Sequence, residues 1–324
     1  MPLVKRLETN ILRFVRFTDF IVNPCNLVGA MGAGIALALK EQFPDIHEDY
    51  KMRLNEGSFS LENPIYAYKP NNSRFNFSVI NLVTKRHWMD TSRLDDVEVS
   101  IEHLAKFLKQ YPKHTVVLPM LGGGNGGLNY DQVEPLMYKY LHTKELNNVI
   151  HLCYHPDKID AHWKYFGLVG SRYFTDADEY LPIMMTHIEK ALDEWGIPKK
   201  ATVYDTVKSY FENAVSGGAK GTDEIMCGRS YLEGSFKNTN SGNIQPSFAK
   251  LCGFDPIICD ADWDRDPKLA GFIRNRTVVD IATHMVAFRS TKVDNNGTND
   301  TINTVHKWNE HYPNNPIKLK VIDI

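Results

Sequence analysis

The chain has 324 residues, 43% of them hydrophobic and 23% charged, which is ample apolar material for a packed core. Its 37 Lys and Arg nearly balance its 39 Asp and Glu, giving a net charge of −2 and a pI of about 6.6. That balance argues against a grip on nucleic acid by bulk electrostatics, so any such contact must be local. At roughly 100–200 residues per domain, the length predicts two domains.

The five cysteines, Cys25, Cys153, Cys227, Cys252 and Cys259, are scattered and form no C-x-x-C pair. Neither a disulfide framework nor a thiolate zinc site is indicated, and no metal or cofactor is called for. The amino terminus has no apolar signal core and the chain has no membrane-length apolar run, so a cytoplasmic protein with no membrane contact is expected.

Short β-branched runs alternate with amphipathic stretches, the pattern of an α/β fold with a mostly parallel or mixed sheet. In chain order, residues 20–22 read as a strand and 23–34 as a glycine-containing turn. Residues 35–43 form the next helical stretch, and its first five residues, 35–39, are apolar nearly all round, which suggests a buried helix beside the sheet. Residues 78–80 read as a strand, and 95–110 as a helix with Val97, Ile101, Leu104, Ala105 and Leu108 on one face. The runs 115–119 and 149–154 are short enough for buried strands.

The sequence then turns polar, which places the join between Asp157 and Trp163, with domains at 1–158 and 163–324. In the second half, 165–169, 214–215, 257–259, 285–288 and 319–322 read as strands. Helices are expected over 181–195 and 271–280 and after Gly297-Thr298. Residues 235–247 are too polar for core and read as a surface insertion or mobile loop.

Two glycine loops follow strands in the first half. Gly29, Gly32 and Gly34 precede a helix, where backbone N–H groups and the positive helix end receive a phosphate. Taken alone, these glycines fit a tight turn without ligand equally well. The second loop, 122–127, has five glycines in six residues, a conformational-entropy cost that a bland turn does not justify.

The ordered motifs Ile21-Val22-Asn23-x-x-Asn26, Gly29-x-Met31-Gly32-x-Gly34-Ile35-Ala36, Thr84-Lys85-Arg86-His87-Trp88 and Gly122-x-Gly124-Asn125-Gly126-Gly127-Leu128 resemble a macrodomain over residues 1–155. The branch they resemble is that of DarG-type antitoxins and terminal ADP-ribose glycohydrolases. The resemblance implies a three-layer α/β/α sandwich with an ADP-ribose cleft. Asn10 would lie near adenine, Gly29, Met31, Gly32 and Gly34 and the loop Gly122, Gly123, Gly124, Asn125, Gly126 and Gly127 would hold the diphosphate, and Asn26 would face the distal ribose. Lys85 matches the catalytic lysine. It would attack C1″ of the opened ribose as a free amine, or act electrostatically on the departing group.

Some members of the branch carry an aspartate where this loop has Asn125, the next carboxylate being Asp131. The Gly-Asn-Gly-Gly form points to the DarG-like subgroup and an ADP-ribosylated DNA substrate. Without these motifs, Lys85 reads as a surface lysine. Arg86, His87, Trp88 and Arg93 form a basic and aromatic cluster for a DNA phosphate and base, although Trp88 fits a simple cleft edge as well.

In the second half, Gly170-Ser171-Arg172, Ser216-Gly217-Gly218-Ala219-Lys220-Gly221-Thr222-Asp223, Asp262-Trp263-Asp264, Gly271-x-x-Arg274-Asn275-Arg276 and Gly297-Thr298 are similar to motifs of the SLOG superfamily. That Rossmann-like group includes DprA and the lonely-guy nucleotide hydrolases, and the likeness here is to its YspA-like branch. It implies a pocket for a nucleotide or NAD-derived ligand and a homo-oligomer. The lonely-guy glutamate is missing from 294–300, which implies binding without cleavage. Asp223 and Arg274 also fit a structural ion pair.

The leading expectation is an ADP-ribosyl glycohydrolase, DNA preferred over protein, with a ligand-binding second half. The rival is a protein that sequesters or hydrolyses a cyclic ADP-ribose signal of anti-phage immunity, a phage product acting in the host cytoplasm. A scaffold without either ligand is the third reading.

Overall fold

The computed structural model describes residues 3–324 apart from 9, 17, 72, 156, 158–162 and 266. The chain divides into two compact units, 1–162 and 163–324. The expected join falls largely on 158–162, outside the described residues.

The first unit runs β1 (Leu3–Leu7), a 3-10 helix (Ile11–Arg16), β2 (Phe20–Cys25), α1 (Gly34–Gln42), α2 (Pro44–Asn55), β3 (Ile65–Tyr68), β4 (Ser78–Val83), α3 (Leu94–Lys109), β5 (Thr115–Pro119), α4 (Tyr130–Leu141) and β6 (Val149–Tyr154). Its six strands lie in the order β1-β6-β5-β2-β4-β3, parallel except for β3 against β4. Alternation along the strands sends Ile21, Val79, Val83 and Val117 to one face, packed with Phe14, Leu39, Ile46 and Tyr50. Phe20 faces the other way, edge-on to Phe107 of α3 with ring centroids 5.6 Å apart. Helices therefore cover both faces of a mixed sheet.

The predicted face of α3 is buried, and Asp95 and Asp96 in its first turn with Lys106 and Lys109 in its last complement the helix dipole. α1 corrects the expectation of a helix buried all round: Leu39 is its one buried residue, while Ile35 and Ala36 are half-buried and line a cleft. Its apolar surface is shared between core and cleft.

The second unit runs β7 (Tyr165–Gly170), α5 (Ala177–Glu194), α6 (Val203–Tyr210), β8 (Asn213–Ser216), α7 (Thr222–Cys227), β9 (Ser235–Lys237), β10 (Ile244–Pro246), α8 (Phe248–Leu251), β11 (Ile257–Ile258), α9 (Ala270–Ile281), β12 (His284–Arg289), α10 (Asn296–His311) and β13 (Lys318–Asp323). Five parallel strands lie in the order β11-β8-β7-β12-β13, so the winding direction reverses between β7 and β12. The polar stretch 235–247 is mostly exposed but is not an irregular loop: β9 and β10 pair as an antiparallel hairpin, and Phe236 anchors it in the main core. One buried aromatic among polar neighbours outweighs the composition of the segment. Among the described residues, no helix is long and apolar enough to cross a membrane.

β12 opens on His284, which is buried against the rings of Trp195, Tyr210 and Phe211. Burial, reinforced by the nearby cations Lys318 and Lys164, lowers its pKa from 6.5 to about 4. The unfolded chain takes up this proton first, so the contribution to stability is intact above about pH 6.5 and is lost as pH falls towards 4. Denaturant midpoints followed across that window should decline, and His284→Gln should flatten the decline. An identical slope in the variant would contradict this account.

Candidate functional site

Parallel pairing places the loops after β2, β4, β5 and β6 along one edge of the first sheet, where they surround a cleft of about 930 Å³. In the first loop, Asn26 is a staple. Its Oδ1 accepts from the backbone N–H groups of Val28 and Ala30, both at 3.1 Å, and its Nδ2 donates to the Ala30 carbonyl at 2.7 Å. The buried Tyr50 hydroxyl donates to the Asn26 carbonyl. Asn26 still lines the cleft, with one amide N–H beyond the Ala30 bond. Met31 sends its side chain into the core, so only its backbone is available to a ligand.

Gly34, at φ +58°, opens α1, whose start has no side-chain cap. Gly34, Ile35 and Ala36 line the cleft, and the first-turn N–H groups that lack intrahelical partners are offered there.

The glycines of the second loop have different reasons to be glycine. Gly122 and Gly127 have φ near +71° and +77°. A Cβ on Gly126 would lie 2.2 Å from the Gly122 carbonyl oxygen, and one on Gly123 would lie 2.5 Å from the Tyr130 ring. Gly32 and Gly124 face open space within 4 Å and both line the cleft, so packing does not demand them. A Cβ on Gly34 would come 3.7 Å from Asn125 Nδ2, which sets the two loops opposite one another.

Lys85 follows β4 and lines the same cleft. Its Nζ donates to the Trp88 carbonyl at 3.1 Å and to the Asn125 carbonyl at 2.5 Å. An ammonium has three N–H donors, so one remains for the cleft. Ser92 adds a second tie between the same loops, its N–H donating to the Gly126 carbonyl at 2.8 Å.

Of the predicted residues, Asn26, Gly32, Gly34, Lys85, Gly122, Gly124, Asn125 and Gly126 line the cleft. Gly29, Gly123 and Gly127 shape loops behind it, Gly29 at φ +75° with its carbonyl 3.0 Å from His47 Nε2. Asn10 is exposed and accepts from the Leu12 N–H, while its neighbours Glu8 and Ile11 line the cleft instead. Tyr130, Cys153 and His155 also line it and are not among the expected site residues, since nothing local marks them as neighbours of Lys85.

The basic cluster is divided. Arg86 forms a two-point pair with Asp96, at 2.9 and 3.1 Å, which holds the Asp96 carboxyl below the usual range. Trp88 and Met89 stay exposed at the cleft rim.

In the second unit a cavity of about 540 Å³ lies beyond the carboxyl ends of β7 and β12, where the strand order reverses. It brings together Gly170, Ser171, Arg172, Gly217, Ala219, Asp223, Arg274, Asn275, Gly297 and Thr298. Asp223 ties two turns, accepting from the N–H groups of Gly170 at 3.1 Å and Ala219 at 3.3 Å. Burial raises its carboxyl pKa, opposed by the Arg274 charge. Arg274 donates to the Gly217 carbonyl at 2.8 Å and to Asn275 Oδ1 at 3.0 Å.

Five of the predicted residues are not brought to this cavity. Ser216 is buried behind the turn and Gly218, at φ +63°, packs towards Ile258, while Lys220 is exposed. Asp262 accepts from the Arg265 N–H and Trp263 packs near Gly271. Among the described residues, no group of His, Cys, Asp and Glu is placed to hold a metal.

Residues 22–137 match the macro domain family. With the mixed sheet and the paired glycine loops, that match defines the first unit as a macrodomain. It resembles the DNA ADP-ribosyl glycohydrolase of Thermus aquaticus, 32% identical over 140 residues that make up 41% of this chain and 39% of that protein. The enzyme of the same name from Mycobacterium tuberculosis is 31% identical over 117 residues, 36% of this chain and 33% of the other. The chain thus spans 33–39% of the length of these two relatives. Among solved structures, the macrodomain of M. tuberculosis DarG is 26% identical with a TM-score of 0.42, covering 48% of this chain and 99% of that one. Thermosipho africanus DarTG in complex with ADP-ribose is 27% identical with a TM-score of 0.41, covering 44% and 40%.

The glycine geometry predicts a split in stability. Gly126→Ala should cost about 1–3 kcal/mol through overpacking against the Gly122 carbonyl. Gly32→Ala and Gly124→Ala should leave the thermal midpoint within about a degree of wild type, because each methyl enters open space. Equal losses at all three positions in a thermal melt would contradict the assignment.

Proposed function

We propose that the first unit is an ADP-ribosyl glycohydrolase that releases ADP-ribose from a modified macromolecule, DNA in preference to protein. The observation that carries this reading is Lys85 Nζ, held between the Trp88 and Asn125 carbonyls at the cleft. The diphosphate lies between the Gly32–Gly34 backbone with the α1 amides and the Gly122–Gly126 loop. Asn26 fixes the first loop and offers its remaining N–H to the distal ribose. Lys85 acts at C1″, where the glycosidic bond breaks, water supplies the new hydroxyl, and the departing group takes the proton. Its Nζ is organised as a donor, which favours electrostatic help to the departing group over attack by its lone pair. The likeness to DNA ADP-ribosyl glycohydrolases supports this substrate class.

The second unit, on this proposal, is a SLOG-type domain that binds a nucleotide or NAD-derived ligand at the strand-order reversal, a position where open parallel sheets hold ligands. Arg172, Arg274 and the start of α10 supply its anion-binding groups. The same cavity gives a sequestering role for a cyclic ADP-ribose signal a place to reside. Incubation with such a nucleotide followed by denaturation separates the two, since sequestration returns it intact and hydrolysis returns a cleaved product.

Lys85→Ala should slow release of ADP-ribose from modified DNA by roughly a hundredfold or more. An unchanged rate would overturn the mechanism. Gly32→Ala and Gly124→Ala should each weaken ADP-ribose binding by calorimetry while the fold stays intact, and unaltered affinity would remove the diphosphate from these loops.

A further inference from the structure

The segment after Lys85 is fixed at several points, yet it leaves an indole in solvent. The Leu27 N–H donates to the Arg86 carbonyl at 3.1 Å, Arg86 pairs with Asp96, and Lys85 Nζ holds the Trp88 carbonyl. The Met89 N–H donates to His87 Nδ1 at 3.3 Å. The His87 ring lies against the Trp88 ring, 5.7 Å between centroids with 32° between planes. Trp88 is nevertheless 56% exposed and Met89 68%, and both line the cleft that contains Lys85. An indole backed by an imidazole on an anchored segment, and not needed by the core, is a preformed stacking surface.

The geometry points to Trp88 as a specificity-determining residue that stacks on an unpaired nucleobase of the modified strand, resting on the glycohydrolase reading above. A net charge of −2 gives the chain no bulk attraction for a polyanion, and Arg86 is committed to Asp96. An uncharged stacking contact supplies the affinity that phosphate contacts would otherwise give, and every base has a face for it. A peptide substrate offers no such face unless an aromatic residue adjoins the modified one.

Calorimetry on the full chain carrying Lys85→Arg, which retains donors to the two carbonyls, compares a single-stranded oligonucleotide bearing one ADP-ribosylated base with free ADP-ribose. The oligonucleotide should bind roughly ten- to a hundredfold more tightly, with the increment little changed as salt is raised. Trp88→Ala should erase the increment, bringing the ratio of the two affinities to about one, and Trp88→Phe should keep most of it. Equal affinities for the two ligands in the parent, an equal loss of both in Trp88→Ala, or a modified non-aromatic peptide bound as tightly as the oligonucleotide would overturn the assignment. Failure of the glycohydrolase reading itself would appear elsewhere, as absence of cleavage by the wild-type chain.

Discussion

Two backbone carbonyls from different loops meet on one ammonium, and the organisation of the first cleft depends on that meeting. Lys85 Nζ binds the carbonyls of Trp88 and Asn125, residues brought from after β4 and after β5. A lysine that only faced solvent would be free to sample many rotamers, at a considerable entropy cost when fixed. Here that ordering is already done by the fold. The Ser92 N–H to the Gly126 carbonyl repeats the tie one turn further along, so the rim and the second glycine loop hold their spacing together.

The same edge shows how glycine serves two ends. Gly122, Gly126 and Gly127 are required by backbone angle or by close approach, whereas Gly32 and Gly124 face empty space beside the cleft. Glycine has a conformational cost in the unfolded chain wherever it stands. At the first three positions the loop geometry accounts for that cost, and at the other two only the proposed function does, through the room left beside the cleft. Asn26 follows a similar division, with its side-chain oxygen wholly used in the turn and one N–H left over.

Much of this was legible in the sequence because it is local. The 3.6-residue spacing of α3 gave its buried face, and the glycine runs after apolar strands marked both loops of the cleft. What escaped is what depends on distant pairing. Glu8 and Ile11 reach the cleft because β1 pairs with β6, Leu3 opposite Ile150, a register that no local pattern announces. α1 reads as buried all round because a cleft lined by Ile35 and Ala36 looks apolar in the same way as a core. The hairpin at 235–246 was hidden by its polar composition, since Phe236 is its one member of the hydrophobic core and the equally buried Asn238 looks like a surface residue. In the second unit most residues of the strand-end turns meet at one cavity, but Ser216, Gly218 and Lys220 of the turn after β8 and Asp262 and Trp263 on the loop before α9 do not.

The central claim is that this cleft takes ADP-ribose with its distal ribose at Lys85. A crystal structure of the full chain with ADP-ribose tests it most directly. The account predicts the diphosphate between the Gly32–Gly34 and Gly122–Gly126 backbones, with the C1″ hydroxyl within hydrogen-bond reach of Lys85 Nζ. A nucleotide bound in the opposite direction, with adenine against Lys85, or bound only in the second unit, would contradict it.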